Sequence, residues 1–234
     1  MLTKLSFQKV VAVIMSIIIF ISLILGIMTR TSYLSLSRND AEISKASLQI
    51  SEELCNEHDY IYSTVNYDAA VAELDQSNYI FYAKCVDRDV CFGCIKYKMS
   101  VIKTIKGEVD ETSKEVILYQ LVSFDFSKQG VTFISPDNSL PLKTGNEYLI
   151  FANKRDYYKD YQQTLDTNEY SLSLSSSFPT AVVVDENQDR YIDISQVENY
   201  ADIEDCYYMC FDEKSLNNIN KISQQIIIHY LGSK

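Results

Sequence analysis

Nineteen consecutive residues without a charge, Val10–Met28 (VVAVIMSIIIFISLILGIM), constrain this chain of 234 residues more than any other feature. A helix over them at 1.5 Å per residue is about 28 Å long, close to the roughly 30 Å hydrocarbon core of a bilayer. The run is predicted to cross a membrane once, behind a short tail at residues 1–9. A cleaved signal would have an apolar region of about 7–15 residues and a small-x-small cleavage site. Here the run is longer and ends Gly26-Ile27-Met28-Thr29-Arg30, so it reads as an uncleaved anchor. It also lacks the Gly-Phe step and early acidic residue of a pilin leader, and no cysteine follows it before Cys55, which excludes a lipoprotein.

Charge alone does not orient the span, because Lys4, Lys9 and the amino terminus on one side face Arg30, Arg38 and Lys45 on the other. Cysteine placement breaks the tie, the alternative being six reduced thiols in a cytosolic domain. Cys55, Cys85, Cys91, Cys94, Cys206 and Cys210 all follow the span, an even set that suits an oxidising compartment. The chain therefore reads as a single-pass protein of the cell membrane with its C-terminal domain extracytoplasmic.

Beyond Met28, 234 less 28 leaves 206 residues, enough for one domain with a substantial core. Removing Lys4 and Lys9 from the 21 basic residues leaves 19 against 32 acidic, a net charge of −13 for this part. Such a field repels nucleic acid and anionic lipid surfaces, so no nucleic-acid partner is expected.

Residues 29–76 read as a helical stalk and lead-in. Asn39 with Glu42 forms a candidate capping box, Ile43, Ala46, Ile50 and Leu54 share a helical stripe, and Asp68–Leu74 is a second short helix. From Asn78 the period changes to two and residue types become those of strands. The predicted strands are Tyr79–Val86, Ile95–Ile105, Glu115–Ser123, Val131–Ile134 and Glu147–Asn153, with turns at Lys106-Gly107-Glu108 and Thr144-Gly145-Asn146. Five short strands fit a closed or nearly closed antiparallel barrel. Thr180–Val184 and Arg190–Ile194 are predicted to form a further hairpin. Leu216, Ile219, Ile222, Ile226 and Tyr230 predict a packed helix over Glu213–Leu231.

Three blocks in order, SNYIFYAKC (Ser77–Cys85), VIKTIKGEV (Val101–Val109) and LKTGNEYLIFA (Leu142–Ala152), resemble bacterial relatives of the netrin-like module shared with tissue inhibitors of metalloproteinases. The resemblance covers about a third of the chain and implies a five-stranded OB-type barrel with flanking helices. It does not imply protease inhibition. Those inhibitors chelate the protease zinc through a mature N-terminal cysteine, whereas here the first cysteine is Cys55. Ala83 also replaces a glycine common in the family, and no cysteine lies between Lys96 and Ala152. The fold class is thus mainly β with flanking helices: an OB-type barrel with hairpin and C-terminal helix over residues 77–234, preceded by the transmembrane helix at 10–28.

The cysteines serve first as disulfide candidates. If Tyr79–Val86 and Ile95–Ile105 pair around a loop near Asp89 and Val90, Cys85 faces Cys94, leaving Cys91 to meet Cys206 or Cys210 and Cys55 to take the other. Alternatively, Cys91 and Cys94 have redox spacing, and with Cys206 and Cys210 they offer four thiolates to zinc, the mark of an envelope thiol-disulfide or metal-handling protein. Asp185, Asn187, Asp189 and Asp193 match positions 1, 3, 5 and 9 of a calcium loop, but Arg190 stands in place of its glycine and Gln196 in place of its glutamate, so the segment reads as a solvated turn.

His58 and His229 are the sole histidines, and there is no phosphate loop, GxSxG or HExxH. The expectation is therefore a binding or structural module without catalytic, cofactor or metal residues. Tyr157, Tyr158, Tyr161 and Tyr170 cluster in RDYYKDYQQTLDTNEY, either as a contact surface for a protein or glycan or as packing over the barrel.

Overall fold

The computed structural model describes residues 15–25, 43–48, 52–91, 94–109, 114–127, 130–135, 139–155, 168–175 and 177–232. They fall into two units, Met1–Asn39 and Asp40–Lys234. In the first, residues 15–25 are helical with exposed side chains. No helix among the described residues is long and apolar enough to cross a membrane. The ends of the apolar run, Val10–Ile14 and Gly26–Met28, lie outside the described residues, as do residues 1–9 and the candidate capping box at Asn39 and Glu42.

In the second unit the strands are β1 (Ser47–Leu48), β2 (Tyr79–Cys91), β3 (Cys94–Lys106), β4 (Glu115–Gln120), β5 (Ser123–Ser127), β6 (Gly130–Ile134), β7 (Glu147–Lys154), β8 (Glu169–Leu172) and β9 (Ala181–Val183). Strand order β2-β3-β4-β8-β7 closes by pairing β7 with β2, making a five-stranded barrel. The β4–β8 pair is parallel and the other four are antiparallel. In order of appearance the barrel strands run first, second, third, fifth, fourth, which is OB-type connectivity. The outer edge of β7 is shared, with β9 on Tyr148–Ile150 and β8 on Ala152–Lys154.

Alternation places Phe81, Tyr97, Met99, Leu118, Ile150 and Tyr170 inside, each at most 1 % exposed. Burying side chains of this size contributes about 1.5–3 kcal/mol each. β7 is buried on both faces because Phe151, on its other face, meets Tyr230 of the C-terminal helix at a ring separation of 5.3 Å.

Among the described residues three helices pack around the barrel: α1 (Glu52–Thr64), α2 (Tyr67–Leu74) and α3 (Glu213–Leu231). Asp212 caps α3 by accepting from Ser215 N (2.6 Å), and the predicted stripe Leu216, Ile219, Ile222 and Ile226 is buried. The last carbonyls of α1 need donors because no further turn supplies them. Asn218 of α3 provides these, its Nδ2 donating to Tyr62 O (2.8 Å) and Val65 O (2.9 Å).

Several expectations are corrected. Val131–Ile134 is not a barrel strand. As β6 it joins β5 and β1 in a separate three-stranded sheet, where Phe133 packs with Phe124 and Tyr200. The predicted strand Glu115–Ser123 breaks at Leu121-Val122 into β4 and β5. The barrel's fifth strand is β8, inside the polar tyrosine-rich stretch.

Residues 43–74 are not a free-standing stalk: Ile43, Ala46, Ala70 and Leu74 are buried in the core, and β1 interrupts the helix predicted through Ile43 and Ala46. Nor is there a hairpin at 180–194. β9 pairs with β7, while Arg190–Asp193 is irregular, Ile194–Gln196 is a 3-10 turn, and Ile192 N donates to Cys210 O (2.7 Å). The cause is Gln188, 4 % exposed, whose Oε1 accepts from Tyr207 N and Tyr208 N, both at 2.7 Å. This buried amide ties down a loop that its acidic composition makes look solvated.

Candidate functional site

OB-type barrels commonly bind ligands on the face of their second and third strands, between the loops that join strands one to two and four to five. Here those elements are β3 and β4, the Cys91–Cys94 turn, and the connection from Arg155 to Asn168. Register builds the outer face in rows. Asp89 faces Lys96, Lys96 faces Tyr119, and Tyr119 faces Ser171; beside them run Asp87, Lys98, Ile117 and Glu169. Lys98 also pairs with Glu115 at 2.9 Å. Opposite charges across neighbouring strands support the pairing by a few tenths to about 1 kcal/mol each.

Arg155 follows β7 directly, and its backbone N donates to Glu169 O (3.1 Å). This anchoring holds its guanidinium 4.0 Å from the ring centroid of Tyr119. A stacked guanidinium-phenol pair gives a planar, partly apolar platform with a fixed positive edge. Cys94 lies close enough that the Arg155 charge offsets part of the rise that burial imposes on its thiol. The turn between the first two barrel strands, the third strand and the root of the fourth-to-fifth connection thus converge on Cys94, Tyr119 and Arg155. Neither Tyr119 nor Arg155 is marked by any local pattern, because they meet only through barrel closure.

Of the predicted contact tyrosines, Tyr170 is not at the surface. It is 1 % exposed and packs edge-on against Tyr79 (5.0 Å) and Phe81 (5.7 Å), since position 170 opposes the inward-facing Leu118 of β4. Tyr157, Tyr158 and Tyr161 lie outside the described residues, in the connection that Arg155 begins.

All six cysteines are described, and none is disulfide-bonded. Cys85 faces Met99 rather than Cys94, because β2 runs on to Cys91 and it is Cys91 that opposes Cys94. A Cys85–Cys94 bond would span five residues along a strand, about 16 Å. Nor do Cys91, Cys94, Cys206 and Cys210 form a four-cysteine centre; among the described residues no group of three or more His, Cys, Asp or Glu side chains is placed to hold a metal. Burial raises the thiols of Cys206, to about 11, and Cys85, to about 12.

The calcium-loop pattern fails for a local reason as well. Asp193 spends its oxygens on Ser195 N, Ser195 Oγ and Gln196 Nε2 (3.0, 2.7 and 2.8 Å). These donors hold its carboxyl below the usual range.

Inside, Tyr97 Oη donates to Gln120 Oε1 (2.8 Å) and accepts from Leu142 N (3.0 Å), while Gln120 Nε2 donates to Ser139 Oγ (2.8 Å) and Leu140 O (3.0 Å). Burial drives the Tyr97 hydroxyl far upward, so it stays neutral. The cavity beside this network measures about 30 Å³, room for about one water. Its role is structural. Compared with known proteins, the chain matches no family model and no curated protein.

Proposed function

We propose that this chain is a single-pass, membrane-anchored extracytoplasmic binding module that takes a protein or glycan partner on the outer face of β3 and β4. The observation that carries the reading is Arg155 stacked on Tyr119 at the root of the tyrosine-rich connection, beside the turn between the first two barrel strands. Tyrosines contribute apolar area with a polar tip at low conformational cost, which suits both partner classes. The acidic balance argues against nucleic acid, the usual ligand of such faces in basic domains.

The netrin-like resemblance supports the same reading, since its three blocks fall on β2, the far end of β3 and the segment leading into and along β7. The uncharged run Val10–Met28 supports the anchor, and the extracytoplasmic side follows the even count of cysteines in the sequence rather than any bond among them. No activity enters the proposal. The face offers charges and a stacked ring, with its two thiols raised above their ordinary range by burial.

The test is binding of the full-length protein to peptide and glycan arrays, alongside Tyr119→Ala and Arg155→Ala. Both variants should lose about tenfold in affinity, roughly 1.4 kcal/mol, with unchanged thermal unfolding. A partner whose binding ignores both substitutions would remove this face from the function.

A further inference from the structure

The geometry points to Cys91 and Cys94 as a reversible disulfide site that closes the β2–β3 turn on exposure to a disulfide oxidant, while the other four cysteines stay out of reach. Register sets the two residues directly opposite one another at the last pair of the hairpin. Opposed residues of an antiparallel pair have Cα atoms about 4.5–5.5 Å apart, within the roughly 4.4–6.8 Å that a disulfide accepts. The two thiols are near enough to shift one another, Cys94 pushing the Cys91 thiol up and Cys91 drawing the Cys94 thiol down.

Selectivity follows from exposure. Cys91 and Cys94 are half-buried at the tip, whereas Cys55, Cys85, Cys206 and Cys210 are 4 %, 0 %, 2 % and 0 % exposed. Thiol-disulfide exchange requires in-line approach to sulfur, which a closed core denies. The two tip thiols also differ. Arg155 favours the thiolate at Cys94, whereas at Cys91 the neighbouring Asp89 acts with burial against it.

Cys94 therefore attacks first. It gives its proton to solvent, and its sulfur bonds one sulfur of the oxidant, expelling the other as a thiolate. Cys91, deprotonated in turn, attacks Cys94 Sγ and expels the second oxidant sulfur. Two cysteine thiols are oxidised to one disulfide, and the oxidant disulfide is reduced to two thiols that take up the two released protons. The ring so closed spans Phe92 and Gly93, and the pairing stands whatever ligand the barrel face takes.

The experiment treats the full-length protein with oxidised glutathione, alkylates it under denaturing conditions, and maps it unreduced after chymotryptic cleavage at Phe92. The expected result is two fragments held together by Cys91 and Cys94, with alkylation lost at both and kept at Cys55, Cys85, Cys206 and Cys210. In Cys91→Ser, Cys94 should carry a glutathione adduct instead. Linkage of Cys91 or Cys94 to any other cysteine, or full alkylation of both after oxidant treatment, would overturn the assignment.

Discussion

Gly107, directly after β3, shows how one residue permits the close approach of that strand's end to the start of β2. Its φ is +79°, and a Cβ there would stand 2.5 Å from Tyr79 Cδ1 and 2.9 Å from Asn78 O. Tyr79 is itself packed against Tyr170, so the ring has little room to yield. Gly107→Ala should lower unfolding stability by about 1–3 kcal/mol in urea titrations. Gly145→Ala, with φ +92° and no atom within 4 Å of the added carbon, should lose only the backbone part, about 1–2 kcal/mol. Equal losses would show that contact with Tyr79 is not decisive. Both turns were legible in the sequence, because glycine between polar residues at a strand end has one main physical use. Gln188 was not, since nothing in DENQD distinguishes a buried amide from a solvated one until Tyr207, Tyr208 and Asn220 are brought to it.

At the scale of elements, β2, β3, β7 and α3 were readable because each exposes its pattern over eight or more residues. β8 was hidden by brevity: EYSL needs only Tyr170 facing inward, and four residues give no period. β6 misled for the opposite reason, as VTFI satisfies strand chemistry in either sheet. The hairpin register slipped because Asp87 and Asp89 resemble a loop, whereas they are outward strand residues answered by Lys98 and Lys96. That alternation of charges, with Gly93 between, was the available signal. The segment after β9, tied down inside by Gln188, is clamped on its outer side by Arg190, which pairs with both Asp205 oxygens and donates to Asp202 O (2.6 Å). Arg190 keeps the Asp205 carboxyl below its ordinary range. The stabilisation is therefore complete above the unfolded value of about 3.9 and is lost as pH falls through the lower folded value. Asp59, raised by burial, works in the opposite sense. The urea midpoint should fall as pH drops below about 4, and Asp205→Asn should flatten that fall. An unchanged slope in the variant would shift the acid sensitivity to other carboxylates.

For the whole molecule, the boundary that matters lies near Asp40 rather than at Ser77. Ile43 and Ala46 are buried at 2 % and 0 % exposure, and Ala46 O accepts from Tyr200 N at 2.8 Å, so the chain joins the core from its first described residues beyond the boundary. α1 and α2 cover α3 through Asn218, through Tyr67 Oη to His229 Nδ1 (2.7 Å), and through Tyr230 Oη to Asp75 Oδ1 (2.6 Å). A chain beginning at Asp40 should accordingly unfold at the temperature of the full-length protein, while one beginning at Ser77 leaves the buried face of α3 in water and should not unfold cooperatively. The apolar run falls entirely in the other unit, so under the proposed anchor reading membrane attachment and folding separate by the same cut. Full-length protein should sediment with phosphatidylcholine vesicles and the chain from Asp40 should stay in the supernatant, since the remainder is strongly acidic and carries no comparable apolar run. Co-sedimentation of the Asp40 chain would place the membrane contact on the barrel unit, and the anchor reading of Val10–Met28 would fall.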